Sequence, residues 1–369
     1  MILCLASATD AATLPEDKVD VLYHRYDGGG MVIDGPSVLV RKSAGNQFSL
    51  SGQYYVDSVS AASVDVLATA SEYKEERTQY TVGADYLHED TVMSLGYTNS
   101  SENDYEADTV SFSVSQDFFG DLTTLTMGYG RGWDTVGKVG NGDFSEDADR
   151  QNYRLGLSQV ITKNSLLGFD FEAITDEGYL ENPYRQNRYI DPADSTNYLY
   201  QPEEYPETRT STSAAIRALY YLPYRASLRG EYRFFTDTWG IDAHTFELGY
   251  VHPFANHWTL EGRVRYYTQD QADFYSDLYA YPNSQTHLGR DKELSTYSGT
   301  TLGTGVTYEL KRGAVPHIDR MQFSLLVDYL DFQYDNFRDV TASGDYQPGE
   351  EPLYEFDAWV TRASLILEY

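Results

Sequence analysis

Apolar and polar residues exchange at every second position along most of this chain, in runs near ten residues or longer. In 321–329 the odd positions are Met321, Phe323, Leu325, Val327 and Tyr329, while the even ones include Gln322, Ser324 and Asp328. In 258–266 the apolar phase is Trp258, Leu260, Gly262, Val264 and Tyr266, against Thr259, Glu261, Arg263 and Arg265. Stretches 226–234 and 48–56 repeat the pattern. Such alternation describes an extended strand with one apolar and one polar face. About sixteen such runs occur, whereas soluble strands average about five or six residues. A tilted strand of about ten residues crosses a hydrocarbon layer.

The connections point the same way. Short turns are expected near 43–46, 88–91, 118–121, 162–164, 222–224, 253–256 and 311–319. Longer segments lie between them, at 57–74, 99–106, 134–149, 176–208, 270–293 and 335–354. Short–long alternation is the signature of an up-and-down barrel with short periplasmic turns and long outer loops. The expected fold is therefore all-β: one transmembrane antiparallel β-barrel of about sixteen strands over 19–369, in a bacterial outer membrane. Residues 1–18 read as a residual signal or N-terminal segment, with Ala6-Ser7-Ala8 resembling a cleavage site. The chain ends on an alternating strand, 359–369, closed by Tyr369. A final aromatic there suits recognition by the barrel-insertion machinery and places both termini in the periplasm.

Composition narrows the function classes. No apolar run is long enough for a transmembrane helix, and a mean hydropathy of −0.51 is compatible with strands that hide apolar residues at alternate positions. Tyrosine is abundant, at 34 residues, as suits a membrane boundary. The net charge of −30 excludes a nucleic-acid partner, which needs a basic face. Acidic residues gather in the long segments. Outer-membrane lipid and lipopolysaccharide are expected neighbours. Asp143, Asp147 and Asp149 form a candidate cation loop that lacks the full calcium signature, and a solvated loop is the default reading. The single cysteine, Cys4, rules out a disulfide framework. No catalytic, metal or cofactor motif is present, so neither enzymatic activity nor a cofactor is expected. His252 and His257 flank a short turn, which favours a role in that turn.

On the polar phase, Arg217, Arg225, Arg229, Arg233, Arg263, Arg265 and Arg362 are expected to face the lumen, interspersed with Glu231, Glu247 and Glu261. A ladder of this kind either favours anionic solutes or fills the lumen as a salt-bridge lattice. The segment 176–208, rich in Tyr and Pro, is expected to be an ordered surface lid, with a constriction folded into the lumen or a surface that stacks on sugars or flavin-like rings as the other readings.

Particular words carry a resemblance. They are Asp237-Thr238-Trp239-Gly240-Ile241, Arg265-Tyr266-Tyr267-Thr268-Gln269, Ala272-Asp273-Phe274-Tyr275 and Asp291-Lys292-Glu293-Leu294-Ser295, with Tyr26-Asp27-Gly28-Gly29-Gly30 near the start. Together they resemble an uncharacterised outer-membrane barrel family, domain of unknown function 3570, over nearly the whole chain. The resemblance implies an outer-membrane barrel often encoded beside a small lipoprotein, a thioredoxin-like protein and a flavin transferase. It assigns no catalytic residue. From their place at strand ends, Asp237, Trp239, Gln269, Asp273 and Tyr275 are rim candidates, for a contact or for holding loops together. The expected function is a channel or export conduit with an Arg-lined lumen. The alternative is a non-conducting barrel that receives a periplasmic lipoprotein or a redox or flavin-linked protein.

Overall fold

In the computed structural model, which describes residues 12–61, 73–310, 313 and 315–369, the alternating runs are strands of one closed sheet. In chain order they are β1 (Lys18–Gly28), β2 (Met31–Ala44), β3 (Phe48–Ala61), β4 (Tyr73–His88), β5 (Thr91–Ser101), β6 (Tyr105–Phe118), β7 (Thr123–Gly137), β8 (Ser145–Thr162) and β9 (Ser165–Gly178). A small hairpin follows, β10 (Gln186–Asp191) with β11 (Asp194–Pro202). The barrel resumes with β12 (Thr208–Tyr221), β13 (Ser227–Asp237), β14 (Asp242–Phe254), β15 (Trp258–Gln269), β16 (Tyr297–Glu309), β17 (Arg320–Arg338) and β18 (Leu353–Glu368). Each barrel strand pairs antiparallel with its neighbours, β9 pairs with β12 across the hairpin, and β1 pairs with β18. The sheet therefore closes on sixteen strands. The Tyr369 N–H donates to the Asp17 carbonyl at 3.2 Å, so the two ends of the described barrel meet at one rim.

The turns expected near 43–46, 88–91, 118–121, 162–164, 222–224 and 253–256 all join consecutive strands at that rim. The turn expected at 311–319 and the segment at 57–74 fall partly outside the described residues, and Cys4 and Ala6–Ala8 fall wholly outside. Three opposite-rim connections are short, 29–30, 102–104 and 238–241, so the long-loop rule does not hold throughout, and the segment expected at 99–106 is mostly strand. Gly29 and Gly30 have φ of +59° and +75°, which a tight two-residue hairpin turn requires. Gly29 also lies under the Phe356 ring, where a Cβ would come within 2.9 Å.

The outward phase is apolar. Val82, Leu95, Phe112, Met127, Leu248, Leu260, Leu302 and Phe323 are exposed on the barrel exterior, as a lipid-facing band requires. Rings border that band. Phe48, Phe118, Phe254 and Trp258 lie near the short turns, and Tyr80, Tyr97, Tyr129 and Trp359 lie farther along their strands. Tyr369 packs under the Lys42 ammonium, 4.6 Å from the ring centre.

The inward phase divides into two walls. Midway along β4 to β7 it is built of small residues: Thr81, Gly83, Ser94, Gly96, Thr98, Ser111, Ser113, Thr126, Gly128 and Gly130. A Cβ added at Gly83, Gly96 or Gly130 would meet only atoms of the flanking strands. From β8 to β18 the inner wall is charged and aromatic, starting with Arg154, Asp170 and Glu172. Arg217 bonds Asp170 and Glu231, each at 2.6 Å, and Arg229 bonds Glu247 at 2.8 Å. Arg233 lies 3.6 Å from Glu172. The buried Asp328 takes both Arg263 at 2.6 Å and Arg362 at 2.7 Å. Arg263 and Asp328 sit two strands apart, on β15 and β17. Their bridge crosses β16 directly above Gly303, where a Cβ would lie 2.2 Å from the Asp328 carboxylate.

Replacing Gly303 with Val should push this bridge apart and leave a buried carboxylate short of one partner. The expected cost is about 2–3 kcal/mol of folding free energy, since breaking buried ion pairs is costly. Urea unfolding in lipid vesicles measures it. An unchanged midpoint would mean that the wall tolerates the loss of the bridge.

Candidate functional site

The outer mouth of the barrel is organised by an aromatic cluster. Inward-facing Phe235, Tyr297, Phe332, Tyr334 and Phe356 belong to the strand wall, on the same phase as Arg233, Asp328 and Arg362. Against them pack Trp239 and Ile241 from the β13–β14 turn, and Ala272, Phe274, Tyr275 and Leu294 from the β15–β16 connection. Tyr205 and Leu180, from the long β9–β12 connection, join the same cluster. Phe332 and Phe356 stack at 4.8 Å, and Tyr297 meets Tyr334 at 5.1 Å. The loops thus fold inward onto the wall they cap.

Each rim candidate holds loop to loop. The Asp237 carboxylate accepts the Trp239 and Ile241 N–H groups at 2.9 and 3.0 Å, and is paired with Arg209. The Arg209 guanidinium in turn lies 4.4 Å over the Trp239 ring, whose Nε1 donates to the Thr208 carbonyl. Gln269 is buried and donates to the Glu293 and Ser295 carbonyls at 2.9 and 2.8 Å. The Asp273 N–H donates to the Trp239 carbonyl at 2.8 Å, and its carboxylate lies beside Gly240, whose φ is +89°. Tyr275 donates to the Asn336 carbonyl at 3.1 Å. The words that carried the family resemblance therefore meet in space.

A second knot lies in polar residues that sequence patterning treats as solvated. Arg188, on β10, is fully buried. It pairs with Asp277 from the β15–β16 connection and with Glu351, also fully buried, from the β17–β18 connection. Burial opposes ionisation of Glu351, but Arg188 holds its carboxyl below the ordinary value. Arg290 reaches Asp277 at 3.0 Å and stacks 4.4 Å over Phe337. Backbone hydrogen bonds between Arg188 and Tyr279, and between Glu204 and Leu288, complete the joint. The 176–208 segment is thus partly the expected lid and partly a lining of the mouth, through Leu180 and Tyr205. It also reaches along the same rim to the β5–β6 and β7–β8 connections, where Tyr184 bonds Asp104 and Lys138 donates to the Pro183 carbonyl at 2.8 Å.

Other candidates are placed differently. Arg225 is not on a strand and does not line the lumen. Pro223 has no N–H for the ladder, β12 stops at Tyr221, and Arg225 sits exposed in the following turn with φ of +68°. Glu261 lies against Gly305 on the inner wall, and Arg265 lies near Tyr267. Asp147 and Asp149 belong to β8 rather than to a loop. Asp147 accepts from Thr135, Asp149 is 3.6 Å from Arg131, and Asp143 sits in the preceding turn. An extended strand cannot wrap three carboxylates around one ion, so this spacing forms no cation loop. Among the described residues the carboxylates that converge are Glu75, Glu102 and Asp104. His252 bonds Tyr250, and His257 bonds the Glu309 carbonyl, both beside a short turn.

Below the cluster the lumen keeps a cavity of about 740 Å³. Its boundary runs from Tyr26 and Ile33 past Arg150 and Asp176 to Arg233, Arg265, Tyr267 and Phe332.

One loop carboxyl is poised to titrate. Glu203 accepts from the Tyr205 hydroxyl and from the Arg290 N–H, both at 2.6 Å. Burial, and then the neighbouring Asp291, push it up to about 7. A raised carboxyl stabilises the assembly below the unfolded value near 4.5 and loses that contribution as pH rises through about 7. The loss amounts to about 3 kcal/mol. Proteolysis of the outer loops should accelerate between pH 5 and pH 8, and Glu203→Gln should flatten the profile. A wild-type profile that is already flat counts against this role.

No curated protein matches the chain by sequence. Among solved structures the barrel is similar to a bacterial polysaccharide outer membrane secretin, with a TM-score of 0.52 at 8% identity over 96% of this chain and 98% of that one. Weaker likenesses are the siderophore receptor PirA from Pseudomonas aeruginosa (TM-score 0.47, 9% identity, 88% of this chain and 60% of that one) and a Pseudomonas aeruginosa FadL homologue (0.42, 12%, 95% and 90%). At such identities the likeness is one of fold, that of bacterial outer-membrane barrels. The model of a family described as protein of unknown function (DUF3570) matches residues 67–153 and 142–344, and the chain belongs to that family.

Proposed function

We propose that this protein is an outer-membrane conduit whose passage runs along the small-residue wall, beneath a mouth partly covered by its own loops. The observation that carries the reading is the division of the inner face. A sixteen-strand barrel is wide enough for water unless side chains or a plug fill it. Midway along β4 to β7 the inward positions are Gly, Ser and Thr, and nothing from the loops or the far wall packs on the glycines there. The facing wall is rigid and charged. Its arginines are largely neutralised by Asp170, Glu172, Glu231, Glu247 and Asp328, which supports weak ionic selectivity in place of the anion preference of a free Arg ring. The solved neighbours named as a secretin and a receptor are compatible with passage through such a barrel, and none of them transfers a solute to this chain. The reading assigns no chemistry to the barrel wall.

Purified protein in planar bilayers should conduct. Gly96→Trp and Gly130→Trp, which put bulk on the small-residue wall, should each cut conductance severalfold. Arg188→Ala, which unties three outer connections and leaves Glu351 unpaired, should raise it or make it noisier. A silent barrel would overturn the conduit and favour the non-conducting alternative, in which the barrel receives a periplasmic lipoprotein or redox partner.

A further inference from the structure

We infer that the cavity under the outer loops is a binding site for a small amphipathic anion, a carboxylate carried on a flat aromatic body. This deepens the conduit reading by naming a ligand class, but the site can exist in a barrel that does not conduct.

The first observation is a local inversion of charge. The chain carries 57 acidic and 27 basic residues, yet five basic side chains line this cavity, Arg150, Arg209, Arg233, Arg265 and Lys292, against three acidic ones, Asp176, Asp291 and Glu293. Pairing takes up most of both signs: Asp176 holds Arg150 at 2.6 Å, Asp291 holds Arg185 at 2.6 Å, Asp237 holds Arg209, and Glu172 lies 3.6 Å from Arg233.

The second is Arg265. It makes no ion pair or hydrogen bond among the described residues. Its acidic register partner across β14 is Glu247, but that carboxylate turns to Arg229 at 2.8 Å. On the other side its partner is Thr301, which offers no charge. Arg265 is thus a half-buried guanidinium aimed into a cavity, with its fork of donors uncommitted. A planar fork of this kind suits a carboxylate.

The third is what surrounds the cation. Two residues along the strand stands Tyr267, whose ring lies 5.9 Å from the Arg265 guanidinium. Tyr267 meets Tyr297 at 5.5 Å, and Phe332 lies beyond them. Gly299 makes this aromatic wall possible, since a Cβ there would come within 3.0 Å of the Phe332 ring. Trp239 and Leu294 roof the same space from the loops. An apolar slot with a few polar anchors at one end is the usual form of a small-molecule site, and about 740 Å³ falls within the usual range. A fully hydrated inorganic anion would leave the rings unused. A neutral aromatic would leave the guanidinium unanswered.

The test uses the intact protein in lipid nanodiscs, with Trp133, Trp258 and Trp359 replaced by Phe so that Trp239 alone reports. The probes are 4-nitrobenzoate, a quenching aromatic carboxylate, and its neutral analogue 4-nitrobenzamide. Saturable quenching by the benzoate is expected, with the amide at least about tenfold weaker, as suits one charge-assisted contact. Arg265→Gln should bring the benzoate down to the amide's level, Arg265→Lys, which keeps the charge but loses the fork, should fall between the two, and Arg225→Gln, in the distant turn, should change nothing. Heat-dependent gel mobility checks that each variant is folded. Equal binding of the two probes, absence of saturable quenching, or an Arg265→Gln variant that binds benzoate as the parent does would each overturn the inference. The readout is equilibrium binding, so a barrel silent in bilayers that still binds through Arg265 refutes the conduit and leaves the site standing.

Discussion

Everything in this structure depends on one constraint: a backbone in hydrocarbon must find all its hydrogen bonds within the protein. The pairing of β1 with β18 meets it, from Lys18 opposite Glu368 to Gly28 opposite Ala358. Without that ladder two strands would present unpaired N–H and C=O groups to lipid, at several kcal/mol for each group. Closure then dictates the side chains. One phase must be apolar because it meets lipid, and the other is released from that demand. The high content of polar residues is a consequence of the same geometry.

Freed from lipid, the inner phase is used in two unlike ways. Midway along β4 to β7 the face is reduced to Gly, Ser and Thr. Elsewhere it holds charges that reach across strands, as Arg263 does over Gly303 to Asp328. Such bridges tie non-adjacent strands together in a sheet whose backbone links only neighbours. The glycines of the two walls differ in purpose. At Gly128 and Gly130 the nearest atom to an added Cβ would be 3.6 and 3.8 Å away, so smallness leaves space. At Gly303, Gly305 and Gly299 a side chain from the next strand occupies the place a Cβ would take.

Much of this was legible in the sequence because strand periodicity survives averaging. Phe48, Leu50 and Tyr54 stand on the outside as their phase predicts, and Arg217, Arg229, Arg233 and Arg263 stand on the inside. Arg225 went astray because its phase matched while Pro223 had already ended the strand. The ion pairs were not legible, since a bridge such as Arg263–Asp328 depends on inter-strand register and on a glycine between them. The loops were least legible. Arg188, Glu203 and Glu351 lie in polar, aperiodic segments, where any charged residue reads as solvated. Their burial follows from three connections converging on one place, and no local pattern encodes that.

That convergence explains why the outer mouth can be both structured and acidic. Loops of a strongly acidic chain should repel one another. Here two arginines, Arg188 and Arg290, are placed at the joint and share Asp277 between them, with Glu351 completing the set. Asp194, Glu204, Glu207, Asp270 and Glu350 are exposed to water, where their mutual repulsion is screened within about 8 Å at physiological salt. The basic side chains around the cavity lie behind this joint, on the lumen side. An anion approaching from outside thus meets a repulsive surface first and an attractive interior second. Such an order admits an anion only if its apolar body gains enough from the aromatic wall to offset the acidic rim. In the site we infer, selection by charge and selection by shape are therefore coupled in the same mouth, and neither wall of the barrel would provide that alone.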